Sequence, residues 1–205
     1  MQNLDVRELR RDGLLTGVAV VARGMQDNPI HIHVFGPDPG LRTHRLARLF
    51  RIVLPTIASR GMLLGAFQAD TLVGVIGTMA PGKCRPTIRD AVSIVPRLLG
   101  MYPPSVTMRV GQWLGAWQHQ DLHVLHWHVG PVAVDLALQG RGIGSTMMDV
   151  LSSRIDRHPA PAYLETDKPE NVRFYRKFGF EICTATAVVG IPNWFMTREW
   201  QGSPD

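Results

Sequence analysis

Apolar and polar residues alternate along the chain with two periods, and these divide it into predicted strands and helices. Short apolar or alternating runs predict strands at residues 4–9, 62–68, 72–79, 123–134, 161–165, 180–188 and 194–200. Apolar residues that repeat every three or four positions predict helices at residues 14–25, 41–59, 142–157 and 169–178. The order of these elements predicts a mixed α/β fold.

One short loop and one longer segment separate some of these elements. Residues 69–71 lie between two apolar runs and predict the tight turn of an antiparallel hairpin. From residue 81 to 120 prolines interrupt the pattern, and they leave shorter predicted helices at 88–99 and 105–117. We expect this segment to be a helical insertion over a cleft.

Local signals frame the last predicted helix. Asp167 and Glu170 have the spacing of a capping box, and Pro169 falls in the first turn, where proline is tolerated. Gly179 follows the helix at the position where a residue with positive φ commonly ends it. These signals predict a helix that begins soon after Glu165.

Composition narrows the class of protein. A chain of 205 residues with 45% hydrophobic content predicts one globular domain over residues 1–205. The longest apolar stretch, residues 14–22, is shorter than the roughly 20 residues of a membrane-spanning helix. The amino terminus lacks the apolar region of a secretory signal, so we expect a cytoplasmic protein without a membrane partner. Cys84 and Cys183 have no cysteine or histidine at zinc-finger spacing, and we interpret them as buried free thiols.

The net charge of +5 suits an anionic ligand without identifying one. Arg42, Arg45, Arg48 and Arg51 would form one stripe along a helix. No aromatic residues interleave with them as base-stacking platforms would. We therefore interpret the stripe as a solvated face and expect no nucleic-acid partner.

A glycine cluster is the most specific candidate site. Gly140, Gly142 and Gly144 lie between a predicted strand and the apolar stripe of a predicted helix. Glycines let an anion approach the backbone, and the unpaired N–H groups and macrodipole of a helix N-terminus attract it. This arrangement is typical of a phosphate-binding loop, with Arg141 adding charge at its rim.

Three kinds of phosphate loop have such glycines. A Walker loop is excluded because no lysine follows Gly144. A dinucleotide fingerprint is incomplete because Ser145 occupies the third glycine position, although Glu165 has the spacing of its distal acid. The pattern Q/R-x-x-G-x-G/A, which binds the pyrophosphate of coenzyme A, is met by Gln139, Gly142 and Gly144. Affinity for a nicotinamide dinucleotide remains the alternative.

The segments "VGPVAVDLALQGRGIGSTMMDVL" and "AYLETDKPENVRFYRKFGFEI" resemble the GNAT superfamily of N-acetyltransferases in their order and separation. The C-terminal half most resembles the puromycin N-acetyltransferase type. The resemblance implies a single GNAT-like α/β (α+β) domain. Its central sheet would be mixed and mostly antiparallel, with about six to seven strands flanked by helices.

The resemblance also implies which residues bind acetyl-CoA and which act on it. The main chain of Val132 and Val134 would bind the pantetheine arm, and Asn171 would contact the cofactor. The pyrophosphate would lie on the loop and the start of the helix, that is on Gln139, Gly140, Arg141, Gly142, Ile143, Gly144 and Ser145. Tyr175 matches the general acid, and its position four residues after Asn171 places both on one helix face.

The chemistry requires a deprotonated amine, attack on the thioester and protonation of the departing thiolate. A phenol can donate that last proton, which suits Tyr175. Glu165 at the end of a strand would act as a base through water or cap the following turn, and both interpretations stay open.

The stretch "HVLHWHVG" adds histidines near the expected point of transfer. Side chains alternate along a strand, so His126 and His128 share one face while His123 points away. Three histidines therefore do not converge on an ion, and we expect no metal site. His126, His128 and Trp127 are candidate acceptor-binding residues, with structural histidines and a core tryptophan as the alternatives. His31 and His33 are expected in a loop between two helices.

Together these features predict an acetyl-CoA-dependent N-acetyltransferase that acts on the primary amine of a small molecule in a ternary complex. Two alternatives stay open, a protein or peptide amine acetyltransferase of the same fold and a non-catalytic acyl-CoA sensor. Dimers are common in the family, so a homodimer is compatible with the resemblance.

Overall fold

Seven strands form one sheet in a computed structural model that describes residues 4–85, 87, 92, 96–97 and 100–202. The strands are β1 (Leu4–Glu8), β2 (Gly61–Gln68), β3 (Thr71–Met79), β4 (Trp127–Val134), β5 (Ala162–Thr166), β6 (Glu181–Val188) and β7 (Ile191–Arg198). Their order is β1-β2-β3-β4-β5-β7-β6, and only β4 and β5 are parallel neighbours. The predicted mixed, mostly antiparallel sheet is confirmed.

Helices cover both faces of this sheet. They are α1 (Leu14–Gly24), α2 (Pro29–Phe35), α3 (Pro39–Arg60), α4 (Pro104–Gln120), α5 (Ile143–Ile155) and α6 (Pro169–Arg176). The helix predicted at 88–99 falls mostly outside the described residues. Within the described part of the chain, no helix has the length and apolar character needed to cross a bilayer.

Apolar side chains fill the space between the sheet and each layer of helices. On one face, Val21 of α1, Leu54 of α3 and Trp113 of α4 belong to one buried cluster. On the other face, Met147 and Leu151 of α5 belong to a second. The central strands β2 and β3 are therefore buried on both sides, which is typical of continuous apolar runs, whereas the edge strands β1 and β6 are largely exposed.

The hairpin of β2 and β3 turns through two residues with positive φ. Ala69 has φ of 44° and Asp70 has φ of 63°, and Gln68 pairs with Thr71. Positive φ at both central residues defines the turn whose twist matches that of the strands. The predicted hairpin is confirmed, although neither central residue is the glycine that such turns favour.

The parallel strands β4 and β5 pair only where they begin. Trp127 pairs with Ala162 and His128 with Tyr163, and no later pair follows. On its other side, β4 continues beside β3 as far as Val134. A gap therefore opens between β4 and β5 in the middle of the sheet.

Helix α1 ends directly against β4, and a glycine permits this contact. A Cβ on Gly24 would overlap the carbonyl oxygen of Val134. The Gln139 side chain donates hydrogen bonds to the carbonyls of both residues, at 3.0 Å to Gly24 and 3.1 Å to Val134. The end of α1 is thereby fixed at the mouth of the gap.

The arginine stripe of α3 holds α2 in place. Arg42 is 3% exposed and donates hydrogen bonds of 2.8 Å to the carbonyls of both Gly36 and Pro37. Arg45 donates to the carbonyl of Phe35 at 2.5 Å. The expectation of a solvated face was wrong for these two residues, because carbonyls at a helix C-terminus lack partners within the helix and need other donors.

Three further expectations need correction. The strand expected at 123–134 begins at Trp127, so His123 and His126 precede it. His31 and His33 lie in α2, not in a loop. The two cysteines are free, but Cys183 is exposed and Cys84 half-buried, because Cys183 lies on the edge strand β6.

Candidate active site

One cavity of about 1040 Å³ runs through the gap between β4 and β5. At one end it is lined by the glycine loop and the start of α5, and at the other by α3 and α4. Glu165 of β5 and Tyr175 of α6 line its middle. Predicted cofactor residues and predicted catalytic residues therefore line one cavity.

The glycine loop presents backbone N–H groups to the cavity. Gly140 has φ of 76° and Gly142 has φ of 83°, a region that strongly favours glycine. The first hydrogen bond within α5 runs from the N–H of Thr146 to the carbonyl of Gly142. The N–H groups of Ile143, Gly144 and Ser145 precede it and have no partner within the helix.

The other predicted loop residues have different surroundings. Gly144 faces α6, and a Cβ there would be in van der Waals contact with the ring of Phe174 at 3.4 Å. Gln139 is occupied by its bonds to α1 and β4. Arg141 is exposed at the rim, where its charge can reach an anion without being buried.

Val132 and Val134 present their backbone to the gap. The N–H of Asp135 donates to the carbonyl of Val73 in β3 at 2.9 Å. Backbone groups alternate in direction along a strand, so Val132 and Val134 direct theirs away from β3. Both line the cavity, and the Val134 carbonyl already accepts from Gln139. An extended ligand in the gap would find an unpaired strand edge.

Asn171 and Tyr175 line the same cavity from α6, one turn apart. The amide of Asn171 donates to the Thr166 hydroxyl at 3.1 Å, which fixes its orientation. Tyr175 is 7% exposed. Burial, and then the charges of Asp167 and Glu165, raise the pKa of its phenol well above the usual value of 10. The phenol is therefore a proton donor at neutral pH.

The predicted capping box is wrong. Lys168, not Asp167, is the N-cap of α6, and its side chain makes no capping hydrogen bond. The carboxylate of Asp167 instead accepts from the backbone N–H of Ile30 at 2.7 Å. That N–H lies in the first turn of α2, where a negative charge also favours the helix dipole. Asp167 therefore links the loop before α6 to the first turn of α2.

Two histidines and two carboxylates form a cluster beside the cavity. His128 Nε2 lies 3.1 Å from Glu165 Oε2, and His128 Nδ1 lies 3.7 Å from Asp121 Oδ1. His126 Nε2 lies 2.9 Å from the same Asp121 oxygen. Glu165 therefore does not cap the following turn. The prediction that His126 and His128 share a face is confirmed, and their ring centroids are 6.0 Å apart.

These contacts shift the pKa values of the cluster. Burial lowers the pKa of His126, but its contacts with Asp121 and the Cys84 sulfur outweigh burial and raise it to about 9. Burial likewise opposes protonation of His128, whose pKa is nevertheless raised well above its usual range by Glu165 and Asp121. Burial would raise the pKa of Asp121, and the two histidines lower it overall. These contacts favour the charged form of both histidines.

His128 lines the cavity, whereas Trp127 and His126 do not. Trp127 is 6% exposed, belongs to the core cluster on the α5 side and contacts the ring of His158. The prediction that it binds an acceptor is wrong, because alternation along β4 turns it to the face opposite His128. His126 lies behind His128 and is 3% exposed.

The fold brings to this site three residues that the sequence analysis did not assign to it. Asp121 follows α4, Cys84 follows β3, and His31 lies in α2, so they come from distant parts of the chain. His31 is buried against Trp113, and burial lowers its pKa, which keeps it neutral. No local spacing relates these residues, and only the packing of α2 and α4 on the sheet brings them to the cavity.

Residues 107–182 match the family model described as acetyltransferase (GNAT) domain. Solved structures with the same fold include a histone acetyltransferase HPA2 and related acetyltransferase from Corynebacterium glutamicum, 19% identical with a TM-score of 0.74 over 98% of this chain and 99% of that one. Aminoglycoside 6'-acetyltransferase type Ii is 15% identical with a TM-score of 0.57 over 98% of this chain and 99% of that one. The PaiA N-acetyltransferase from Thermoplasma acidophilum, solved with coenzyme A, is 12% identical with a TM-score of 0.58 over 97% and 99%. Residues 107–182 therefore match an acetyltransferase (GNAT) domain, and the chain shares its fold with these solved acetyltransferase structures.

Proposed function

We propose that the protein transfers the acetyl group of acetyl-CoA to the primary amine of a small molecule, by direct attack in a ternary complex. One observation carries the proposal. A single cavity joins a helix N-terminus with unpaired N–H groups to a phenol and a carboxylate on the far side of the β4–β5 gap. Acetyl-CoA and acceptor would meet in that gap.

The cofactor end would take the pyrophosphate on the N–H groups of residues 143–145. Positive φ at Gly140 and Gly142, with no atom within 4 Å of either Cβ position, leaves room for an anion against the backbone. The pantetheine arm would then follow Val132 and Val134, and Asn171 would flank it. This path brings the thioester to Tyr175 and Glu165.

The acceptor end favours a small, partly apolar amine. Its walls come from α3 and α4 and include Leu49, Phe50, Trp113, Leu114 and Trp117. An enclosed apolar space with a few polar groups at its base is typical of a small-molecule site. The resemblance of the C-terminal half to the puromycin N-acetyltransferase type points the same way. Residues 81–120 would then be the acceptor-side insertion of a single domain over residues 1–205.

The chain's residues would divide the chemistry as follows. Glu165 accepts a proton from the acceptor ammonium, held in position by His128 at 3.1 Å. The free amine attacks the thioester carbonyl, a C–N bond forms, and the C–S bond breaks. Tyr175 gives its phenolic proton to the departing thiolate and recovers a proton from solvent. After attack the nitrogen loses its second proton to solvent, and Glu165 releases the proton it accepted, so the net products are the amide, coenzyme A and one proton.

Titration calorimetry with acetyl-CoA tests the cofactor site. Gly142→Asp places a carboxylate where the pyrophosphate would lie, so we expect acetyl-CoA binding to be lost. Gly190→Asp is a matched control, because Gly190 also has φ of 83° and no atom within 4 Å of its Cβ position, but lies in the β6–β7 turn. Equal loss of binding in both variants would contradict the assignment, and binding of NAD in place of acetyl-CoA would favour the dinucleotide alternative.

A panel of amines, followed by release of coenzyme A, tests the acceptor class. We expect turnover with small aromatic or apolar primary amines. Turnover only with peptide amines would favour the protein acetyltransferase alternative. Tight acetyl-CoA binding without turnover on any amine would favour the sensor.

A further inference from the structure

Beside the acceptor end of the cavity, three metal-ligating side chains converge. One ligand atom from each of Cys84, His126 and His128 lies within 4.8 Å of the others. Asp121 adds a carboxylate oxygen 2.9 Å from His126 Nε2 and 3.7 Å from His128 Nδ1. Ligand atoms arranged tetrahedrally around Zn²⁺ are about 3.3–3.6 Å apart, as its bond lengths require, and these two distances bracket that range.

The outer ring nitrogens of both histidines already have acceptors. His126 Nδ1 lies 2.8 Å from the carbonyl of Val124, and His128 Nε2 lies 3.1 Å from Glu165. In metal sites a histidine ligand donates its other N–H to a carbonyl or carboxylate in this way, which orients the ring. The nitrogens left over, Nε2 of His126 and Nδ1 of His128, are those that face Asp121.

His126 Nε2 gives a second, independent observation. It is buried, and despite its distance of 2.9 Å from Asp121 it has no hydrogen-bond partner of suitable alignment. A buried ring nitrogen without a hydrogen bond is uncommon in folded proteins. The 2.9 Å approach to Asp121 is that of an ion pair, and a shared ion would replace this pair and move the two ligand atoms apart to about 3.3 Å.

We propose that Cys84, His126, His128 and Asp121 bind one divalent zinc-class ion at the acceptor end of the cavity. The thiolate and the carboxylate balance its two charges, and a sulfur–nitrogen–oxygen ligand set of this kind suits Zn²⁺. On binding, the thiol proton and any protons on the two inner ring nitrogens leave to solvent, and no electron is transferred. The histidines at 126 and 128 thus take Cys84 and Asp121, not His123, as partners.

The site does not depend on acetyl transfer, since it would bind the ion without cofactor or acceptor. Its position bears on that activity, because Glu165 is both the partner of His128 and the proposed proton acceptor. A bound ion would keep His128 oriented toward Glu165 through the opposite ring nitrogen.

Zn²⁺ titration of the full chain, after removal of metals with a chelator and against a colorimetric zinc indicator, tests the proposal. We expect one equivalent to bind, with affinity at least about tenfold weaker in Cys84→Ser and in His126→Gln. Cys183→Ser is the matched control, because Cys183 is the other free thiol and lies on the edge strand β6. It should bind Zn²⁺ like the parent protein.

Co²⁺ supplies a second measurement that reports the ligands directly. Coordination by Cys84 gives a thiolate-to-cobalt charge-transfer band in the parent protein and in Cys183→Ser, and the band disappears in Cys84→Ser. Absence of stoichiometric Zn²⁺ binding, or identical binding in the parent and in Cys84→Ser, would overturn the proposal. Because serine is nearly isosteric with cysteine, this test stands even where His126→Gln does not fold.

Discussion

Tyr175 is the residue on which release of coenzyme A depends in the proposed reaction. Its phenol lines the cavity between the cofactor end and the acceptor end and is almost fully buried. Because burial raises its pKa, the proton that the thiolate needs remains available throughout the neutral range. Because the ring is buried, Tyr175→Phe keeps its packing and tests the hydroxyl alone.

We expect Tyr175→Phe to lower kcat by about 100-fold or more, since loss of a general acid typically has that effect. Acetyl-CoA affinity should change little, because the ring that lines the cavity is retained. Steady-state kinetics together with calorimetry separate the two effects.

Tyr102→Phe is the control. Tyr102 is also buried, but its hydroxyl donates to the Arg45 carbonyl and should affect stability only. Equal rates in the parent and in Tyr175→Phe would remove the general-acid role.

At the scale of elements, the position of α1 against β4 depends on the absence of one side chain. Gly24→Ala would push the end of α1 off the Val134 carbonyl, and we expect a loss of about 1–3 kcal/mol of unfolding free energy. Gly111→Ala in α4 meets no atom within 4 Å, so it should raise the unfolding free energy by about 0.5–1 kcal/mol through helix propensity. Denaturant unfolding of both variants measures the contrast. A gain of unfolding free energy in Gly24→Ala, as expected for Gly111→Ala, would show that α1 can shift without cost.

The packing of α2 against α3 depends on the buried guanidinium of Arg42. Arg42→Met keeps an unbranched side chain but removes the charged donor of three backbone carbonyls, and a hydrogen bond to a charged group contributes about 1.5–3 kcal/mol. Arg51→Met removes an exposed arginine of the same stripe and should stay within about 0.5 kcal/mol of the parent. Thermal or denaturant unfolding of both variants compares their stabilities with that of the parent protein. Similar small effects for both would restore the interpretation of the stripe as a solvated face.

Elements whose signals are local could be predicted from the sequence. The hairpin, α5 and α6 carry their periodicity, turn or cap residues within a few positions, and Gly142 marked the start of α5. Helix α2 was missed, since it has only seven residues with alternating apolar positions. Its ends are held by Asp167 and Arg42, which lie outside the helix.

The candidate site also divides into residues with local signals and residues without them. The glycine loop has a local pattern, and Asn171 and Tyr175 were assigned from the family resemblance, while the cluster around Asp121 needs four separate elements in place.

At the scale of the whole molecule, the gap between β4 and β5 determines how two substrates can meet. The sheet separates the glycine loop at one end of the cavity from the walls of α3 and α4 at the other. A cofactor and an acceptor that enter from these two ends can be bound at the same time. In the proposed reaction no covalent acetyl-enzyme is needed, because the amine would reach the thioester directly through the gap.

We therefore expect sequential kinetics, with initial-velocity lines that intersect when acetyl-CoA and amine are varied together. Mass spectrometry of the protein incubated with acetyl-CoA alone should show no acetyl adduct at a side chain within the cavity. A double-displacement mechanism would instead give parallel lines and a stable acetyl-enzyme. Saturating acetyl-CoA should also raise the melting temperature in the parent and in Gly190→Asp but not in Gly142→Asp, since only a ligand bound to the folded state stabilises it. Parallel lines combined with a cavity adduct would mean that the gap delivers the acetyl group to the protein before the amine.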